Sequence, residues 1–92
     1  MERNAAEIFA TRALGWLAAQ DEILPVFMGA SGASAEDLRH GAADPAFLGA
    51  VLDFLMMDDA WVIACCDDLG APYTQPQAAR AALPGGAEMH WT

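Results

Sequence analysis

The sequence predicts an all-α fold, a compact bundle of about six short helices in a single helical domain spanning residues 1–92, on three observations. Apolar residues recur at helical spacing in a succession of short runs. Each run is bounded by a capping residue, a proline or a glycine. Valine, isoleucine and threonine, the residues a sheet favours, total nine of 92, whereas alanine alone supplies 21. The helical core is expected over about 5–83 and a tail over 84–92.

The first helix is read from Ala5 to Ala19, with Phe9, Ala10, Ala13, Leu14 and Leu17 on one stripe. Asp21 reads as the N-cap of a second helix carrying Leu24, Phe27 and Met28, with Pro25 in its first turn, where a missing N–H costs little. Gly29 to Gly32 read as a break. Ser34-Ala-Glu-Asp37 approximates a capping box and opens a short third helix through Leu38, which Gly41 closes. Asp44-Pro45 is the clearest start signal, an N-cap followed by proline at the first helical position. The fourth helix presents Phe47, Leu48, Val51, Leu52, Phe54 and Leu55, leaving mainly Gly49 and Asp53 on a polar side. A helix apolar nearly all round is expected at the centre of its domain. Asp58-Asp59 cap a fifth helix with Trp61, Val62, Cys65 and Leu69, ending at Gly70. Thr74-Gln-Pro-Gln77 reads as a second capping box, opening a sixth helix through Leu83 that Pro84-Gly85-Gly86 stops. The tail from Ala87 to Thr92 is expected to fray, although Trp91 has the bulk to dock back onto the bundle.

Shifted by 38 residues, the chain aligns with itself over Ala5–Ala33 and Ala43–Ala71 with seven identities: Ala5/Ala43, Phe9/Phe47, Leu14/Leu52, Leu17/Leu55, Asp21/Asp59, Gly32/Gly70 and Ala33/Ala71. Composition alone gives roughly three. Core residues, a cap and a break glycine recur in the same order, which suggests two pseudo-repeated three-helix units packed face to face. Two units are too few for a solenoid, so a closed bundle is expected.

Thirteen acids stand against four arginines and no lysine, a net charge of −9. That balance disfavours direct binding to nucleic-acid phosphates or to anionic membranes. The start, MERNAAEIF, lacks a basic region followed by an apolar stretch, and the richest apolar run, 47–66, is interrupted by Asp53, Asp58 and Asp59. Neither a secretory signal nor a membrane span is expected. Cys65 and Cys66 are adjacent and point about 100° apart on a helix, which suits buried free thiols better than a redox pair. A cytoplasmic, reduced protein is the expectation.

Chemistry-bearing constellations are sparse. His40 and His90 lie 50 positions apart and neither belongs to a C-x-x-C, H-E-x-x-H or calcium-loop pattern, so no metal is expected. His40 falls in the last turn of the third helix, where positive charge is favourable. Ser34 is accounted for as a cap, Ser31 reads as a loop residue, and nothing in the spacing brings a cysteine to a histidine. The glycine clusters lack the strand-then-helix context of a phosphate loop. No catalytic residue and no cofactor are expected, and the chain reads as a non-enzyme.

The segments ALGWLAAQDEILPVFM, DPAFLGAVLDFLMMDDAW and ARAALPGG resemble an uncharacterised bacterial family, domain of unknown function 3572, found mainly in alphaproteobacteria. The resemblance spans about residues 8–91 and is most specific from Asp44 to Leu55. It implies a compact helical domain of this length and brings no functional residue with it.

Surplus apolar residues beside acids form the remaining lead. Met56, Met57 and Trp61 cannot all point inward on two consecutive short helices, and Ile63 lies one turn from both Asp59 and Asp67 on an outward face. The candidate interaction surface is therefore Met56, Met57, Asp59, Trp61, Ile63 and Asp67, for another protein or for a second copy in a homodimer. The alternative is an acidic patch of Asp53, Asp58, Asp59, Asp67 and Asp68, which would make the chain an acidic decoy or regulator of a nucleic-acid-binding protein.

Overall fold

In a computed structural model describing residues 1–84, the first helix starts two residues earlier than the apolar stripe suggests. Glu2 lies in extended backbone and accepts the Ala5 N–H at 3.1 Å, so helix α1 runs Arg3–Ala18. There follow α2 (Leu24–Ser31), α3 (Ala35–His40), a 3₁₀ turn (Gly41–Ala43), α4 (Pro45–Leu55), α5 (Asp59–Leu69) and α6 (Gln75–Ala82). The fold is an all-α bundle of six helices among the described residues. The proposed stop at Gly85-Gly86 and the placements of His90 and Trp91 lie outside them.

Three helix starts follow their local chemistry. Ser34 and Asp37 form a reciprocal capping box, with Asp37 N–H to Ser34 Oγ at 3.1 Å and Ser34 N–H to Asp37 Oδ2 at 2.9 Å. Asp44 and Asp58 accept the N–H groups of Ala46 and Ala60. Two expected caps are absent. Asp21 lies in a turn three residues before α2, whose flanking residue is Ile23, and Thr74 is already helical in its backbone and makes no side-chain cap. An N-cap side chain reaches the helix start from extended backbone, which neither Ile23 nor Thr74 has here. Asp58→Ala should therefore cost about 0.5–2 kcal/mol. Thr74→Ala should stay within about 0.5 kcal/mol. Urea unfolding of the two variants checks this, and equal losses would contradict the assignment.

The glycine break is also sharper than expected. Gly29 to Ser31 remain helical, and the chain turns only at Gly32, which is left-handed at φ +74° and donates its N–H to Met28 O. Gly70 does the same after α5, at φ +69° and onto Cys66 O. Both glycine and acceptor keep the 38-residue spacing. Leu14, Leu17, Leu52 and Leu55, the paired core leucines, are all buried. The correspondence breaks at the third helices, because α6 packs on both α1 and α4 while α3 packs chiefly on the 3₁₀ turn. Gly41 does not terminate α3 in a left-handed turn. It opens that 3₁₀ turn at φ −62° and is buried against Phe47.

The centre of the core is shared between α1 and α4 rather than held by α4 alone. Helix α1 packs on α4, α5, α6 and the 3₁₀ turn, and buries Phe9, Leu14, Trp16 and Leu17 with three alanines. Ala6, Ala10 and Ala13 are fully buried on α1, and their short side chains let neighbouring elements come close. The supposed polar side of α4 is covered as well. Arg80 of α6 lies across buried Gly49 and donates from Nε to Asp53 Oδ1 at 2.8 Å. From α2, Phe27 is fully buried and meets Phe54 and Phe47 edge-on, at centroid distances of 5.1 and 5.8 Å.

Candidate functional site

Helices α2 and α4 leave a groove of about 210 Å³ between them. Its floor is the buried pair Phe27 and Phe54, and Ala30 and Ala50 line it with side chains too short to fill the space. Ser31, Asp53 and Met57 complete the lining. Ser31 is the last residue of α2 rather than part of a loop. Its hydroxyl donates to Phe27 O at 2.7 Å and accepts the Ala33 N–H. Met57, just beyond the end of α4, is 75 % exposed, the most exposed large apolar side chain among the described residues.

The six surface candidates separate. Met57 stands at the groove. Asp59, Ile63 and Asp67 follow one another at single-turn spacing along the outer face of α5, with Ile63 44 % exposed. Trp61 turns the other way and stacks on Phe54 at 4.6 Å between centroids, and Met56 packs against the core. Trp61 thus supports the floor through Phe54, and both residues are only partly exposed. The pairs Phe27/Ala30 and Ala50/Phe54 come from segments twenty or more residues apart, and periodicity registered Phe27 and Phe54 only as core, with Ala30 in the glycine break and Ala50 unmarked.

The acids are placed largely by the fold. Among the described residues, Glu2, Asp37, Asp44 and Asp58 hold helix starts, and Glu7, Glu36 and Asp53 pair with Arg3, with Arg39 and His40, and with Arg80. Asp68 accepts the Trp16 indole N–H at 2.7 Å, and Asp67 accepts the Tyr73 hydroxyl at 2.7 Å. These bonds explain two acids at a helix C-terminus, where the dipole disfavours them. Arg12 offsets the same end by donating to Leu69 O at 2.9 Å. Of the expected acidic patch, Asp53, Asp67 and Asp68 thus look to separate partners on α6, the α5–α6 connection and α1, while Asp58 caps its own helix. Asp21, Glu22 and Asp59 alone among the described acids make no such bond.

Both thiols are covered, Cys65 at 1 % exposure and Cys66 at 0 %, and both are free. Burial above all, with Cys66 and Asp68 outweighing Arg12, pushes the Cys65 pKa up to about 12. Burial and then Asp67 also raise that of Cys66. Thiolate is the reactive form, so neither cysteine should react with a disulfide reagent at pH 8 until the chain opens, and both should react in denaturant. Rapid modification of the folded protein would contradict this. The folded thiol keeps a proton that the unfolded one loses near 9.0, so this contribution to stability is whole below pH 9 and is lost as pH rises toward 12.

A second hollow, of about 330 Å³, lies beside α1 between Asn4, Glu7, Ile8, Thr11, Arg12 and Ala42. None of its lining residues is buried, and Arg12 and Glu7 already have partners, so it offers no built floor. Among the described residues no group of three or more His, Cys, Asp or Glu could hold a metal ion, and no helix is long and apolar enough to cross a membrane.

Fold and surface thus define a small acidic all-α domain whose most developed feature is an apolar groove beside an exposed methionine. The chain matches the model of the family described as protein of unknown function (DUF3572) over residues 3–86 and belongs to that family. No curated protein and no solved structure matches it.

Proposed function

We propose that this protein is a non-catalytic interaction module of the cytoplasm that docks a protein partner through Met57 and the adjoining groove and through Ile63 on the outer face of α5, with Asp59 and Asp67 setting orientation. One observation carries the reading: Met57, the most exposed large apolar side chain among the described residues, lines the same groove as two buried aromatic rings, Phe27 and Phe54. Exposed methionine beside an aromatic floor suits a surface that adapts to a partner. The free, covered thiols fit a reducing compartment.

The net charge favours a second reading, an acidic decoy for a nucleic-acid-binding protein. Against it, nine of the twelve described acids serve as caps or internal partners, so their placement follows from the fold rather than from a phosphate-like spacing. The two readings separate by salt. Tagged full-length protein used as bait should retain a partner at both low and moderate ionic strength if apolar contacts dominate, and should lose it at moderate ionic strength if charge dominates. A second copy as the retained species would make the module a homodimer.

A further inference from the structure

We propose that the α2–α4 groove receives a cationic amphipathic helix of the partner, one large apolar side chain seated on Phe27 and Phe54 and arginines or lysines on the flanking turns. The inference rests on the interaction reading above and names the partner's chemistry.

Size argues first. Small-molecule sites usually enclose about 300–1,000 Å³. The groove's 210 Å³ falls short of that and suits a single side chain. Its composition agrees, with aromatic rings below and alanines at the sides, which let a partner backbone come close. A helix laid between two helices and anchored by one residue is a recurring way to use such a groove.

Charge argues second. All four arginines donate internally: Arg3 to Glu7, Arg12 to Leu69 O, Arg39 to Glu36 and Arg80 to Asp53 and Pro84 O. The charged side chains left without a partner among the described residues are the carboxylates of Asp21, Glu22 and Asp59. Asp59 follows Met57 by two residues, and Asp21 and Glu22 lie in the turn that leads into α2. In sequence, Asp59 is thus the uncommitted charge nearest the groove lining, Asp21 and Glu22 stand at the far end of α2 at least five residues before Phe27, and no uncommitted cationic side chain among the described residues opposes them. Such an arrangement attracts a basic segment and repels an acidic one.

The test is selection of random 16-residue peptides displayed on phage against the full-length chain at about 0.15 M salt, where screening acts beyond roughly 8 Å. The expected pool carries net positive charge and one leucine, phenylalanine or tryptophan anchor. Its affinity should fall at least about ten-fold on Met57→Arg and be unchanged by Ile63→Asp, both variants melting like the parent. A neutral or acidic pool that still depends on Met57 would overturn the charge assignment while leaving the interaction module standing. A pool indifferent to Met57→Arg, or no enrichment at all, would overturn the groove assignment. The interaction reading would then stand or fall on the natural partner's dependence on Ile63.

Discussion

Replacing Phe27 with alanine is expected to cost about 3–5 kcal/mol, the range for deleting a fully buried aromatic. Phe27 is 1 % exposed, is the only buried residue of α2, and joins Phe47 to Phe54 through two edge contacts. Its removal leaves α2 held to the core only by the partly buried Leu24 and Met28 and takes away half of the groove floor. A domain of this length holds about 5–14 kcal/mol in all, so the variant loses a large part of its stability. Its Tm should drop by at least about 12 °C, at ~4–8 °C per kcal/mol. Phe47→Ala should cost less, because Phe47 is only partly buried. Thermal melts followed by circular dichroism read both, and a loss under about 1 kcal/mol for Phe27→Ala would show that α2 is not held by this residue.

Gly41→Ala is the second large effect, and its sign is informative. At φ −62° the backbone is one that alanine adopts freely, and such a change usually stabilises by about 0.4–1 kcal/mol through the unfolded chain. Here the added Cβ would lie 2.5 Å from Phe47 Cε2 and closer still to Cδ2. Phe47 cannot retreat without breaking its edge contact with Phe27. The clash should win, with a net loss of about 1–3 kcal/mol. Combining Gly41→Ala with Phe47→Leu should cost less than the sum of the two changes, because the shorter side chain vacates the ring edge. Additive losses in a double-mutant cycle, or a stabilised Gly41→Ala variant, would contradict the packing described.

What the sequence made legible is what depends on near neighbours. Asp44-Pro45, Asp58 and the Ser34/Asp37 box are decided within three or four residues, and each sits where local chemistry places it. The leucines of α1 and α4 were readable because a 3.6-residue period survives any arrangement of the helices. Asp21 and Thr74 misled because residue type does not fix backbone conformation, and a cap needs both. Gly49 looked solvent-facing because the side chain that covers it, Arg80, lies 31 residues on. Asp68 looked unfavourable for the same reason, its indole partner being 52 residues away. The groove was hidden most completely. Its floor residues register as ordinary core, and the missing bulk at Ala30 and Ala50 becomes a feature only when α2 and α4 are set side by side. Met57 and Ile63 could be anticipated because surplus apolar residues on short helices must go outward. Which of Met56, Met57 and Trp61 would do so depended on Phe54 taking Trp61 as its stacking partner.

The most direct measurement compares three baits, the full-length chain, Met57→Asp and Ile63→Asp, in parallel pull-downs at moderate ionic strength. Both side chains are exposed, so each substitution should change stability by no more than about 0.5 kcal/mol, which melting curves verify. An interaction module working through this surface predicts one stoichiometric protein on the parent bait and its loss from both variants. The same protein retained equally by all three baits would contradict it.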